Sequence, residues 1–209
     1  MAELQEGIVS RYLNRRISRP LSRLLAKTPA TPNQVSLLSF AIALGSLGLF
    51  IAGYNIWAGV AAQLSSIVDG ADGDLARLKN MSTRFGGYFD AILDRYADVA
   101  ILGGLAYWSL DVENKGSPWA VGAVGLMAIV GALMVSYTRA RAEASLGLSF
   151  PGLAGSLASR DARLLIVMIG AVTGQALATL SLLALLTNVV VIWRVVIARR
   201  RAVDATPFH

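Results

Sequence analysis

DGADGDLARLKNMSTRFGGYFDAILD, residues 69–94, is where two apolar runs, 56–78 and 85–110, turn polar at the ends that face each other across 79–84. In a helix Asp69 and Asp72 are three residues apart and share a face, with Ala76 one turn further along it. Asp90 and Asp94 are four apart and share another face, and Gly86 and Asp98 extend that row. The stretch therefore reads as two helices meeting at a short polar turn, each offering a pair of carboxylates.

Working outward, the 209-residue chain is 55% apolar and only 15% charged, with a mean hydropathy of +0.58. An ordinary soluble domain carries more charge, so lipid is the expected solvent. Six stretches approach the roughly 20 apolar residues that cross a hydrocarbon core: 35–53, 56–78, 85–110, 119–139, 162–173 with a few residues either way, and 177–198. The fifth is the shortest.

Lys and Arg alternate between the connecting segments. Arg11, Arg15, Arg16, Arg19, Arg23 and Lys27 precede the first run, and Arg77, Lys79 and Arg84 join the second to the third. Arg139, Arg141, Arg160 and Arg163 join the fourth to the fifth, and Arg194, Arg199, Arg200 and Arg201 end the sixth, whereas the other side has only Lys115. The positive-inside rule then predicts a multi-pass protein of the cell membrane with both termini cytoplasmic. The net charge of +6 is read as topology, and nucleic acid is not an expected partner. There is no cysteine and the one histidine is His209, which excludes thiolate chemistry and argues against imidazole catalysis.

The first apolar run begins only after a long basic segment, unlike a cleavable signal peptide. Residues 7–27 read instead as an amphipathic surface helix: Ile8, Tyr12, Ile17, Leu21, Leu24 and Leu25 form an apolar stripe, and Arg11, Arg15, Arg19 and Arg23 line another face. Pro20 is a point for a kink. Thr31 or Asn33 can cap the first span. The expected architecture is all-α, six transmembrane helices preceded by the surface helix. Residues 1–33 form a cytoplasmic juxtamembrane segment, 34–200 the transmembrane catalytic domain, and 201–209 a cytoplasmic tail.

Four acids gathered near a membrane repel one another and cost several kcal/mol each to desolvate unless positive charge accompanies them. A divalent cation meets that need, and oxygen-only ligands favour Mg²⁺, Mn²⁺ or Ca²⁺. Asp69, Asp72, Asp90 and Asp94 suffice for two ions, and Mg²⁺ or Mn²⁺ suits a reaction on a diphosphate. Gly70, Gly73, Gly86 and Gly87 each cost about 1 kcal/mol against alanine in a helix, which leaves close helix packing and close ligand approach as equal alternatives. Arg77, one turn after Gly73, can fork onto a phosphate or anchor in the headgroups.

The pattern Asp69-x-x-Asp72-Gly73-x-x-Ala76-Arg77, eight residues, Gly86-x-x-x-Asp90-x-x-x-Asp94 resembles the complete signature of the CDP-alcohol phosphotransferases. The six-span layout, the surface helix and Thr31-Pro32-Asn33 ahead of the first span are similar to that family too. The resemblance implies a homodimer with one cytoplasm-facing active site per protomer. It implies that Asp69, Asp72 and Asp90 bind metal, that Asp94 joins them and is the candidate base, and that Gly73, Ala76, Arg77 and Gly86 border the CDP moiety of a CDP-alcohol donor. It further implies attack of an acceptor hydroxyl on the β-phosphorus with CMP leaving.

Ser136-Tyr137-Thr138-Arg139-Ala140-Arg141-Ala142-Glu143 with Arg160 downstream resembles the branch that uses inositol 1-phosphate. Arg139, Arg141 and Arg160 are candidates for an acceptor phosphate, with positive-inside anchoring as the alternative. The acceptor is expected to be a polar or phosphorylated alcohol. A phosphatidylglycerophosphate or other phospholipid synthase is the nearest rival. From other classes, an ion-coupled transporter would place its acids near mid-membrane in two comparable sets, which this sequence lacks, and a scaffold would use them only to pair with Arg77, Arg84 and Arg95.

Overall fold

The computed structural model describes residues 14–150 and 158–204; Ile8, Arg11, Tyr12 and His209 lie outside them. Seven α-helices follow in order, and no strand occurs among the described residues. They are α1 (Arg15–Ala26), α2 (Pro32–Ile51), α3 (Asn55–Leu78), α4 (Arg84–Trp108), α5 (Pro118–Leu146), α6 (Arg160–Val172) and α7 (Ala176–Asp204), with a π-helical turn, Ser109–Glu113, after α4.

Their ends follow local chemistry. Thr31 is the N-cap of α2, Pro32 takes the first helical position, and the Gln34 side chain accepts from the Thr31 backbone N–H at 2.9 Å. Thr83 Oγ1 accepts from the Gly86 N–H to open α4, and Ser117 does the same for α5 from Ala120. Gly53, Gly147 and Gly174 take positive φ where α2, α5 and α6 end.

The interior is apolar, yet large apolar side chains also cover much of the outside. In α2 the buried face is Val35, Ser36, Ser39, Ala43, Ser46 and Phe50, while Leu37, Leu38, Leu44 and Ile51 are exposed. On this helix three serines and an alanine pack inward beside Val35 and Phe50, while four large apolar residues point out, a surface suited to lipid. Three helices, α2, α5 and α7, are long and apolar enough to cross a membrane. Helices α3 and α4 fall outside that class despite 24 and 25 residues because their polar residues lower the hydropathy, and α6 has only 13 residues, a length of about 20 Å.

The helix expected at the N-terminus runs unbroken through Pro20, but its apolar stripe divides. Leu21 and Leu25 pack against Val35, Val68, Ala71 and Leu75, whereas Ile17 and Leu24 are exposed. What α1 buries completely is small and polar, Asn14 before it and Ser18 and Ser22 within it. Lys79 Nζ donates to the carbonyls of Thr28 at 2.6 Å and Ala30 at 2.7 Å, so the α1–α2 connection is tied to the end of α3.

Close helix approach is set at Gly59 of α3, where a Cβ would stand 2.7 Å from Ala171 Cβ and 3.1 Å from Met168 Cα of α6. Gly59→Leu must therefore part α3 from α6, and thermal unfolding in detergent should register a loss of about 1–3 kcal/mol or more. Gly48 has nothing within 4 Å of its added Cβ, and Gly48→Leu in the same assay should stay within about 0.5 kcal/mol.

Candidate active site

The C-terminal half of α3 and the N-terminal half of α4 meet with α2 and the start of α6 at one end of the bundle. One carboxylate oxygen each from Asp69, Asp72 and Asp90 lies within 4.8 Å of the others. Helix α2 supplies the supporting hydroxyls: Ser36 Oγ donates to Asp72 Oδ2, and Ser39 Oγ lies 2.9 Å from the Ser65 carbonyl and 3.3 Å from Asp69 Oδ1. Asp90 Oδ1 is buried with no hydrogen-bond partner.

Asp94 stands outside the three-oxygen group. Its Oδ1 is 3.0 Å from Arg160 Nη1 and its Oδ2 is 3.1 Å from Arg95 Nη2. The same Arg160 nitrogen is 2.8 Å from Asp69 Oδ2, and Arg160 Nε is 3.7 Å from Asp98 Oδ1. Arg160 Nη1 has no aligned hydrogen bond, so these contacts are Coulombic rather than directional. Below them Asp98, 2% exposed, is paired with Arg163 at 2.6 Å, and Arg163 Nη1 also donates to the Ala158 carbonyl at 2.6 Å.

Beside the carboxylates opens a cavity of about 200 Å³, walled by Pro32, Asn33 and Ser36 of α2, Asp72, Gly73, Ala76 and Arg77 of α3, Met81, Ser82 and Thr83 of the turn, and Gly86, Gly87 and Asp90 of α4. The four residues expected around a CDP moiety thus line one cavity together with two of the acids. A Cβ on Gly73 would meet only Arg77 Nη1 at 3.7 Å, and one on Gly87 nothing within 4 Å, so both keep space open. Gly70 faces Ser18 of α1 instead. Arg77 is half-exposed and ion-paired to Asp74, which Arg15 also approaches at 3.5 Å.

Residues 29–199 match the family described as CDP-alcohol phosphatidyltransferase. The chain belongs to this family. It is 45% identical over 195 residues to the bifunctional IPC transferase and DIPP synthase of Rubrobacter xylanophilus, covering 93% of this chain but only 43% of that relative. It thus spans less than half the length of that bifunctional protein. It is 33% identical over 190 residues to the archaetidylinositol phosphate synthase of Pyrococcus horikoshii, covering 89% of this chain and 94% of that one. Among solved structures, the phosphatidylinositol phosphate synthase of Mycobacterium tuberculosis with CDP-DAG bound superposes with a TM-score of 0.73 at 29% identity, over 88% of this chain and 94% of that one. The same protein in complex with manganese and citrate gives a TM-score of 0.74 at 30% identity, over 87% and 88% of the two chains.

A divalent ion such as the manganese of that relative's complex fits the residues present: the donors are all oxygens, three carboxylates converge, and Asp90 keeps a buried acceptor unpartnered. Of the expected acceptor-phosphate residues, Arg160 reaches the acids, whereas Arg139 and Arg141 are exposed on the last turns of α5 and make no ion pair among the described residues. Sequence reasoning missed Ser36 and Ser39. Their signal was a run of serines, 36, 39 and 46, at helical spacing inside an otherwise apolar span. It also assigned Arg163 to topology, where the structure pairs it with Asp98.

Three crowded carboxylates destabilise the metal-free protein, which gives signed expectations. Mn²⁺ at about 100 times its Kd should stabilise the fold by about 2.7 kcal/mol, read as a higher thermal midpoint. Asp90→Asn should abolish that rise while raising the midpoint in chelator, because it removes one of the repelling charges.

Proposed function

We propose that this chain transfers a phospho-alcohol group from a CDP-linked donor to an acceptor hydroxyl, releasing CMP, and that the acceptor is inositol 1-phosphate. One observation carries the reading: the cavity lined by Gly73, Ala76, Arg77 and Gly86 opens directly onto Asp72 and Asp90. A nucleoside diphosphate seated there brings its phosphates beside the acids and within reach of the Arg77 fork. The inositol phosphate acceptor is supported by two relatives named as synthases of archaetidylinositol phosphate and phosphatidylinositol phosphate.

Asp69, Asp72 and Asp90, with Asp94 completing the set, would hold Mg²⁺ or Mn²⁺, two ions in our reading, whose chemistry when bound is to offset phosphate and leaving-group charge. Asp94 takes the proton of the acceptor hydroxyl. That oxygen bonds to the β-phosphorus, the bond from this phosphorus to the bridging oxygen breaks, and CMP departs with the electron pair. In the ligand-free arrangement Asp94 Oδ1 faces Arg160. The acceptor's own phosphate, docking on Arg160 with Arg139 and Arg141 at the rim, draws the guanidinium away and leaves Oδ1 to the hydroxyl.

The reading takes α2 to α7 as six spans around a catalytic domain of 34–200, with α1 in the headgroup layer, both termini cytoplasmic, and a homodimer as the working unit. Short connections at 52–54, 79–83 and 173–175 support antiparallel neighbours. The cation-rich ends of α3, α5 and α6 support a cytoplasmic site.

Purified protein with Mg²⁺ or Mn²⁺ should release CMP from a CDP-alcohol only when an acceptor is added, and a panel of inositol 1-phosphate, glycerol 3-phosphate and serine identifies it. Asp94→Asn should cut turnover by about 100-fold or more without unfolding the protein; full activity in that variant removes the base. Arg160→Gln should raise KM for a phosphorylated acceptor more than for the donor, and equal effects on both would remove the acceptor pocket.

A further inference from the structure

Away from the cavity, four polar side chains from three helices close on one another. Asn14 Nδ2 donates to Ser66 Oγ and to Asp161 Oδ1, each at 2.9 Å, and Ser66 Oγ donates to the same Asp161 oxygen at 2.6 Å. Gln63 Nε2 donates to Asn14 Oδ1 at 2.8 Å. Asn14, Gln63 and Ser66 are 2%, 4% and 1% exposed. The orientation of the Asn14 amide is forced, because an ionised carboxylate only accepts.

Asp161 adjoins Arg160, and Ser66 sits one turn before Asp69. The first turn of α6 therefore has two anchors: Arg163 on Asp98 of α4, and Asp161 on Asn14 and Ser66 of the α1–α3 pair. Between them Arg160 spans Asp69 and Asp94 through Coulombic contacts alone, with no hydrogen bond of its own at Nη1 to fix it. Its location is thus set by where the α6 backbone is pinned.

We infer that Asn14, Ser66 and Asp161 are positioning residues: they clamp the start of α6 to α3 and α1 and so set the Arg160 guanidinium between Asp69 and Asp94. The inference rests on the proposed reaction. None of these residues lines the cavity, so donor binding stands apart from the clamp. A displacement of about 1 Å at a reacting group can cost about 100-fold in rate, so a clamp of this kind acts on turnover without touching substrate.

The test is a charge exchange in the full-length chain. Asn14→Asp sets two carboxylates against each other, and Asp161→Asn removes the charge that both donors serve. Combining them restores a carboxylate–amide pair in the reverse sense, with Gln63 donating to the introduced carboxylate. Each single change should lower kcat by about 10-fold or more and raise the acceptor KM, with donor KM within about twofold, and the exchange should recover kcat to within about threefold of wild type.

Ser66→Ala, the mildest lesion, should lower kcat about threefold at temperatures well below its thermal midpoint, where the variant is fully folded, and it carries the test if the charged variants do not fold. Wild-type kcat in the folded variants overturns the clamp. So does an exchange no better than the worse single, or a loss that merely follows a falling midpoint.

The chain has no cysteine, which allows a readout free of activity. Nitroxides at Arg16→Cys and Ile169→Cys, both exposed, report the α1–α6 distance. Its distribution should broaden with Asn14→Asp and narrow again in the exchange. An unchanged distribution overturns the clamp, whereas absence of CMP release by wild type would overturn the reaction and leave the distance result to judge the clamp.

Discussion

Carboxylates held against one another inside a helical bundle set the terms for the rest of this structure. Away from bulk water each negative oxygen must find a donor or a cation, and the acids here are served unequally. Asp98 is fully paired with Arg163, Asp94 is shared between Arg160 and Arg95, Asp72 has a hydroxyl from Ser36, and Asp90 keeps one oxygen with nothing. Satisfaction declines from the interior of the bundle toward the cavity. The least satisfied acid is thus the one that faces the space where a ligand enters, and strain of this kind is expected where function is stored.

The helical character of the chain was plain in its composition, and the two carboxylate pairs in their three- and four-residue spacing, because both depend on local periodicity. The cavity residues were equally legible: Gly73, Ala76, Arg77 and Gly86 lie at fixed offsets from the acids and do converge. What the sequence could not convey was partnership between distant helices. Arg160 and Arg163 carry the same cationic signal as any loop arginine, and only the packing of α6 against α3 and α4 distinguishes them. Nor does periodicity reveal that Asn14, Ser18 and Ser22 are buried more completely than the leucines of α1, since small polar residues become an interior face only where another helix comes close.

Three of the seven helices meet the length and hydropathy of a membrane crossing, and of the other four, α3, α4 and α6 are those that bring charge to the site. In the six-span reading α3, α4 and α6 carry the charge while the apolar α2, α5 and α7 meet the lipid.

The shortness of α6 has a consequence for the surrounding bilayer. Its C-terminal end is joined to the start of α7 by a three-residue turn, so the shortfall of about 10 Å against a hydrocarbon core of about 30 Å falls at the end that carries Arg160. In the six-span reading the chain presents hydrophobic mismatch on that side, which headgroups and water relieve by dipping inward. On that reading the membrane thins there, and a water-soluble acceptor meets the site without crossing the full depth of a headgroup layer.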